Sequence, residues 1–366
     1  MKSACRGGIL PPHMNSEIAK AAKEILWCCF YFTTITLTAF NKKGILNKIT
    51  QEGISMAKLR TLIEGGQWYK GNLHLHTTMS DGHLDPAGAV AVYRDHGYHF
   101  LAVTDHGKWG IHDDLQSDDF IIFGGTELGK SLSGDDGFCH HTVHMAIPGD
   151  TPFVHGQDVH ELSKDMDMQQ TIDYMNANGC VSIYCHPRWS HVSMEAYSSI
   201  ANCIGMEIYN NASELACACG ESVSYFERSM WAGDKMLAFA CDDAHRRSGY
   251  LGGWITVKAK SLTHKDVMDA IKAGSFYAST GGPEIHDFYV EDGVAHIKCE
   301  PSKTISVFGD ASVGGRYPVE SDILMTEFAW PFTKEWLPRE AGMNCVWAVC
   351  ADEKGRKSWT QPIWLT

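Results

Sequence analysis

The side chains in this sequence that could do chemistry are imidazoles and carboxylates at short, regular spacings. His74 and His76 flank one residue at the end of the strand-like run Tyr69-Lys70-Gly71-Asn72-Leu73-His74-Leu75-His76. Alternate side chains of a strand share a face, so the two rings can grip one cation. Asp81 follows in a Ser-Asp-Gly turn, within reach of the same pocket. Further along stand Thr104-Asp105-His106, Gly125-Thr126-Glu127, the cluster His140, His141 and His144, His186-Pro187, and Asp243-Ala244-His245. Nitrogen and oxygen donors without thiolate suit Mn, Fe or Zn. Water bound to such an ion is deprotonated near neutral pH and becomes a nucleophile. That chemistry needs no Ser or Cys nucleophile, and no Gly-x-Ser-x-Gly elbow is present.

The elements that must position these groups alternate. Strands are expected at 72–75, 100–103, 120–123, 142–147, 181–184, 205–209, 236–240 and 254–258. Helices are expected at 85–97 (Asp85 as N-cap, Pro86 first), 168–178 closed by Gly179, 195–200, 221–231 and 263–273 with Thr263 as N-cap. Alternation of this kind points to a parallel sheet wrapped by helices, closed into a barrel. His74, His76, His106, Glu127, His186, Asp243 and His245 then fall where strands end, and strand ends of a barrel converge on one rim. After Gly281-Gly282-Pro283 the helical patterns stop, and short apolar runs separated by turns predict a small antiparallel β-sandwich.

In order and spacing these motifs resemble those of the PHP (polymerase and histidinol phosphatase) superfamily of metallohydrolases over residues 68–282, closest to its stand-alone bacterial members. The resemblance implies an α/β fold, a distorted (β/α)7 TIM-like barrel holding two or three divalent ions. It implies one ion on His74, His76, Glu127 and Asp243, and a second sharing Glu127 with His144 and His186. A third would take Asp81, His106 and His245. His140 is an alternative to His144. Asp243 has the one-residue spacing to His245, which leaves Asp242 as a supporting group, and Asp105 as one that orients its neighbour.

A phosphate ester also calls for a cation from the protein. Arg188, directly after His186-Pro187, is the first candidate, and Lys108, Arg246 and Arg247 are the others. His191, in the same loop as Arg188, is the candidate proton donor to the leaving oxygen. The expected activity is therefore metal-dependent hydrolysis of a small phosphorylated molecule. Hydrolysis of a non-phosphate ester or carbamate, and a non-catalytic binding scaffold, are the alternatives.

Composition limits the field. The chain has 366 residues and a formal net charge of −13, which argues against a nucleic-acid backbone, a polymerase partner or an anionic membrane. Nineteen histidines direct attention to metal chemistry. Thirteen cysteines without a Cys-x-x-Cys pair fit a reducing, cytoplasmic compartment. Residues 25–40 form an apolar run after Lys20 and Lys23 that would mean export or anchoring if it is a genuine signal. The other expectation is translation from Met56, because Gln51-Glu52-Gly53 can be encoded by a purine-rich ribosome-binding stretch. Intact mass of the natively expressed protein separates the two. The expected organisation is 1–55 as an extension, 56–283 as the barrel and 284–366 as the sandwich.

Overall fold

The computed structural model describes residues 58–132, 141–146, 153–193, 200–309, 314–317, 323–332 and 344–365. The apolar run at 25–40, His140 and most of the helix expected at 195–200 lie outside the described residues, as does the side chain of His144. Among the described residues no helix is long and apolar enough to cross a membrane.

The strands in chain order are β1 (Leu59–Arg60), β2 (Gln67–Asn72), β3 (Phe100–Ala102), β4 (Ile121–Phe123), β5 (Glu127–Leu132), β6 (His141–Ala146), β7 (Ile183–Tyr184), β8 (Gly205–Asn210), β9 (Leu237–Cys241), β10 (Trp254–Ala259) and β11 (Phe276–Ser279). The C-terminal strands are β12 (Ile285–Glu291), β13 (Val294–Ser302), β14 (Thr304–Gly309), β15 (Gly314–Tyr317), β16 (Met325–Pro331), β17 (Cys345–Ala351), β18 (Lys357–Thr360) and β19 (Ile363–Trp364). Helices α1 (Pro86–Asp95), α2 (Val159–Leu162), α3 (Met168–Ala177), α4 (Asn211–Cys217), α5 (Val223–Ala232) and α6 (His264–Lys272) lie between the strands of the first part.

The fold is mixed α/β, but no sheet of the described residues closes into a barrel, which corrects the sequence expectation. One sheet carries the parallel strands β2, β3 and β4, with β10 and β11 antiparallel beside them. The other runs β5-β6-β7-β8-β9, parallel only from β7 onward. Two turns of the chain explain the departure. No helix separates β4 from β5, and β5 and β6 form an antiparallel hairpin. The two sheets meet instead through isolated bridges, Leu75 to Ala244 and His106 to Glu127. Those bridges fall on the candidate ligand segments, so the seam of the fold is also its site.

Apolar side chains hold the arrangement. Phe100, Phe239, Phe276, Ile183 and Val257 share one fully buried core between the sheets; burying each such side chain is worth ~1.5–3 kcal/mol. Helix α6 presents Val267, Met268, Ala270 and Ile271 to that core, and its Thr263 cap accepts from Asp266 N at 3.2 Å. Thr263→Ala is expected to lower stability by ~1 kcal/mol in urea unfolding while leaving metal content unchanged. The C-terminal strands pair antiparallel throughout and bury Ile285, Phe288, Ile297, Ile305, Val307 and Val346 in a core that also takes Tyr277 of β11. Strand β18 pairs with β11, so one sheet runs from the C-terminal segment into the part that carries the site.

Candidate metal centre

Just past β2 the chain carries His74 and His76, both fully buried, with their Nε2 atoms 3.1 Å apart. Glu127 opens β5 after the turn that ends β4, and its Oε2 lies 3.4 Å from His74 Nε2, 3.1 Å from His76 Nε2 and 3.0 Å from His106 Nδ1. Its Oε1 lies 3.2 Å from His186 Nε2. Asp243 Oδ1 completes the inner group at 3.3 Å from His74 Nε2 and 3.0 Å from His76 Nε2. His74, His76, Glu127 and Asp243 thus point one atom each into a space narrow enough for a single ion. Asp81, His106 and His245 gather beside them with His76, Asp81 Oδ1 lying 3.6 Å from His106 Nε2 and 3.4 Å from His245 Nε2.

The backbone is bent to achieve this. Asp243 and His186 have φ of +52° and +30°, a left-handed region that costs a non-glycine residue roughly 1–2 kcal/mol. Hydrogen bonds offset it: Asp243 N donates to His74 O at 2.9 Å and His186 N to Glu207 Oε2 at 2.8 Å. The Ser80-Asp81-Gly82 turn lies so close to His76 that a Cβ at Gly82 would come 2.2 Å from the His76 carbonyl oxygen. Asp105 ties that turn down, accepting from Thr77 N, Thr77 Oγ1 and Ser80 Oγ at 2.6–2.7 Å.

The electrostatics favour a bound cation. Burial opposes charge on His74 and His76, yet the facing carboxylates of Asp243 and Glu127 outweigh it; His74 is raised well above its ordinary value and His76 to about 9. Asp243 is held below the usual carboxylate range by His74 and His76, against the effect of its burial. Two buried atoms in the middle of this group, His76 Nδ1 and Asp243 Oδ1, have no hydrogen-bond partner. Crowded carboxylates that draw protons onto imidazoles, with ligand atoms left unsatisfied, are a donor set that fits divalent cations.

Sequence reading missed Glu207. It is fully buried in β8, takes His74 Nδ1 at 2.7 Å through Oε1, and accepts from Asn210 Nδ2 and His186 N through Oε2. A carboxylate there fixes which ring nitrogen of His74 faces the cluster. The available signal was a lone acid inside the apolar strand Gly205-Met206-Glu207-Ile208. Glu207→Gln is expected to weaken metal binding by about 10–100-fold, read by competition with a chromophoric chelator.

The remaining candidates are placed as follows. His144 pairs through its backbone with Gly129 in the β5–β6 hairpin. Asp242 is buried behind the site, accepting from Tyr93 and from three backbone N–H groups of 251–253. A cavity of about 720 Å³ opens over the cluster, lined by Asp81, His106, Glu127, His186, Asp243 and His245 and by Arg246. Arg188 lines a neighbouring cavity of about 610 Å³ with Glu221, Lys354 and Lys357. His191 is exposed and lines neither, and Lys108 is paired with Asp158 at 2.6 Å.

No family model and no curated protein matches this sequence. Solved structures do. A two-domain Bacteroides vulgatus protein, described as containing a predicted PHP-like metal-dependent phosphoesterase, is 11% identical and aligns over 83% of this chain and 89% of its own with a TM-score of 0.42. A Bifidobacterium adolescentis protein assigned as a metal-dependent phosphoesterase is 14% identical over 57% of this chain and 98% of its own, TM-score 0.38. An amidohydrolase from Chromobacterium violaceum with bound sulfate is 14% identical over 48% of this chain and 87% of its own, TM-score 0.35. At such scores the functional reading rests on the geometry of the site itself.

Proposed function

We propose that this chain is a metal-dependent phosphoesterase of the PHP type that hydrolyses a small phosphorylated molecule. The observation that carries the reading is Glu127, whose two oxygens reach His74, His76 and His106 on one side and His186 on the other. A carboxylate so placed can join neighbouring cations into one centre. His74, His76, Glu127 and Asp243 would hold one ion, Asp81, His106 and His245 another, and His186 with Glu127, joined by His144, a third. Bound there, divalent ions would polarise the ester and acidify water.

The protein's own groups have defined tasks. Glu207 keeps the proton of His74 on Nδ1, leaving Nε2 as the ligand atom. The Asp243 carbonyl does the same at His245 Nδ1, 2.8 Å away, and Ser190 Oγ holds the His186 ring through Nδ1 at 3.0 Å. Arg246, on the cavity wall directly after His245, takes the anion-binding task for which Arg188 is the first candidate by sequence alone. Domain limits at 56–283 and 284–366 and a cytoplasmic setting belong to the same proposal.

The test is release of inorganic phosphate from a panel of nucleotides and sugar phosphates, run beside aryl acetate cleavage. Expected is phosphate release that chelation abolishes and Mn, Fe or Zn restores. Cleavage of aryl acetates with no phosphate released would overturn the phosphoesterase reading in favour of ester or carbamate hydrolysis.

A further inference from the structure

Helix α4 separates two cavities and shows each a different face. Ala212, Leu215 and Ala216, at i, i+3 and i+4, line the cavity over the metal ligands, whereas Glu214 lines the neighbouring, cation-rich one. The apolar stripe is not spent on the core, since Leu215 is 59% exposed. Trp189, on the loop after His186, lines the same cavity and is 43% exposed, its ring meeting the His186 ring edge-on at 5.0 Å between centroids. Leu215 and Trp189 thus each keep part of a large apolar surface open to water beside a charged cluster. On the charged side the wall is Arg246, exposed and in no ion pair among the described residues.

We propose that this cavity selects an anionic ester whose leaving group carries a flat apolar ring. The ring lies against Trp189 and Leu215 and the anion faces Arg246 and the ligand cluster. Indole is a stacking platform for any planar ring, and the Leu215–Ala216 stripe supplies a shallow apolar wall. The proposal rests on the phosphoesterase reading for its chemistry. Hydrolysis would cleave the P–O bond to the ring-bearing alcohol, with water giving its oxygen to phosphorus and a proton to the departing oxygen.

Binding and turnover are tested apart, on the Mn-loaded full chain. Calorimetry with 1-naphthylphosphonate and with methylphosphonate, neither of which can be hydrolysed, reads the wall alone. Expected is at least tenfold tighter binding of the naphthyl compound, an advantage removed by Trp189→Ala and reduced by Leu215→Ala. Arg246→Ala should weaken both ligands to the same degree. Equal binding of the two phosphonates, binding of neither, or an advantage that survives Trp189→Ala overturns the proposal. Phosphate release from 1-naphthyl phosphate is scored separately: its absence together with a naphthyl advantage in binding sinks the phosphoesterase reading and leaves the apolar wall standing. Because Trp189 also meets the His186 ring, unchanged Mn content and unchanged far-ultraviolet circular dichroism are read for each variant beside its binding.

Discussion

Glu127→Gln is expected to strip the protein of at least one tightly held divalent ion and to lower hydrolysis by well over ~100-fold. The lower bound follows from comparison with groups that only orient a ligand, whose loss already costs about 10–100-fold in metal affinity or activity. Glu127 does more, because its two oxygens face four imidazoles drawn from three separate stretches of chain. Glutamine keeps the volume and one oxygen but puts an N–H, which cannot bind a cation, on the other arm. The side chain is 1% exposed, so no water replaces the lost oxygen without local rearrangement. Metal content by mass spectrometry and phosphate release on the same preparation check the result. A Glu127→Gln protein with full metal content and full activity would mean that the carboxylate bridges nothing.

How much of this could be read from sequence depends on how local each signal is. That His74 and His76 face one space was legible from their one-residue spacing, although β2 ends at Asn72 and only Leu75 between them forms a bridge. Asp243 and His245 were legible only by their one-residue spacing just after an apolar strand; in the structure Asp243 has φ of +52° beyond the end of β9, and the two fall in different ligand groups. Closure of the barrel was not legible. It depends on which strand edges find each other, and here the β5–β6 hairpin turns the chain antiparallel where parallel order was expected. Glu207 escaped because one acid in an apolar strand has no partner in sequence; His74 lies 133 positions away. Helix α4 was missed for another reason. Seven residues are too few for an amphipathic period to register, and its Asn210 cap, which accepts from Ser213 N at 2.9 Å, reads equally well as a turn. The side of a loop on which Arg188 and Arg246 emerge is set by the turns that hold them, not by their order after His186 and His245.

Asp242→Ala is expected to cost about 3–5 kcal/mol of folding stability, the range for removing one partner from a buried charged network. The carboxylate is fully buried, and Oδ2 accepts from Tyr93 OH and Leu251 N at 2.7 Å each. Oδ1 accepts from Gly252 N at 2.7 Å and Gly253 N at 2.8 Å. Burial pushes this carboxyl up to about 6 even though those four donors pull it down. Alanine would leave three backbone N–H groups and a phenol without an acceptor, at ~1–3 kcal/mol for each that stays unsatisfied. Some of that returns as water enters the space, which keeps the expected total below the sum. The damage is also directional. Residues 251–253 turn the chain from the Asp243–His245 ligand segment into β10, so loosening them frees the inner ligands from one side. Urea unfolding and metal affinity should therefore fall together in Asp242→Ala. An unchanged unfolding midpoint would show that water entering the vacated space satisfies those donors, and a lowered midpoint with unchanged metal affinity would show that the ligands are held in place without residues 251–253.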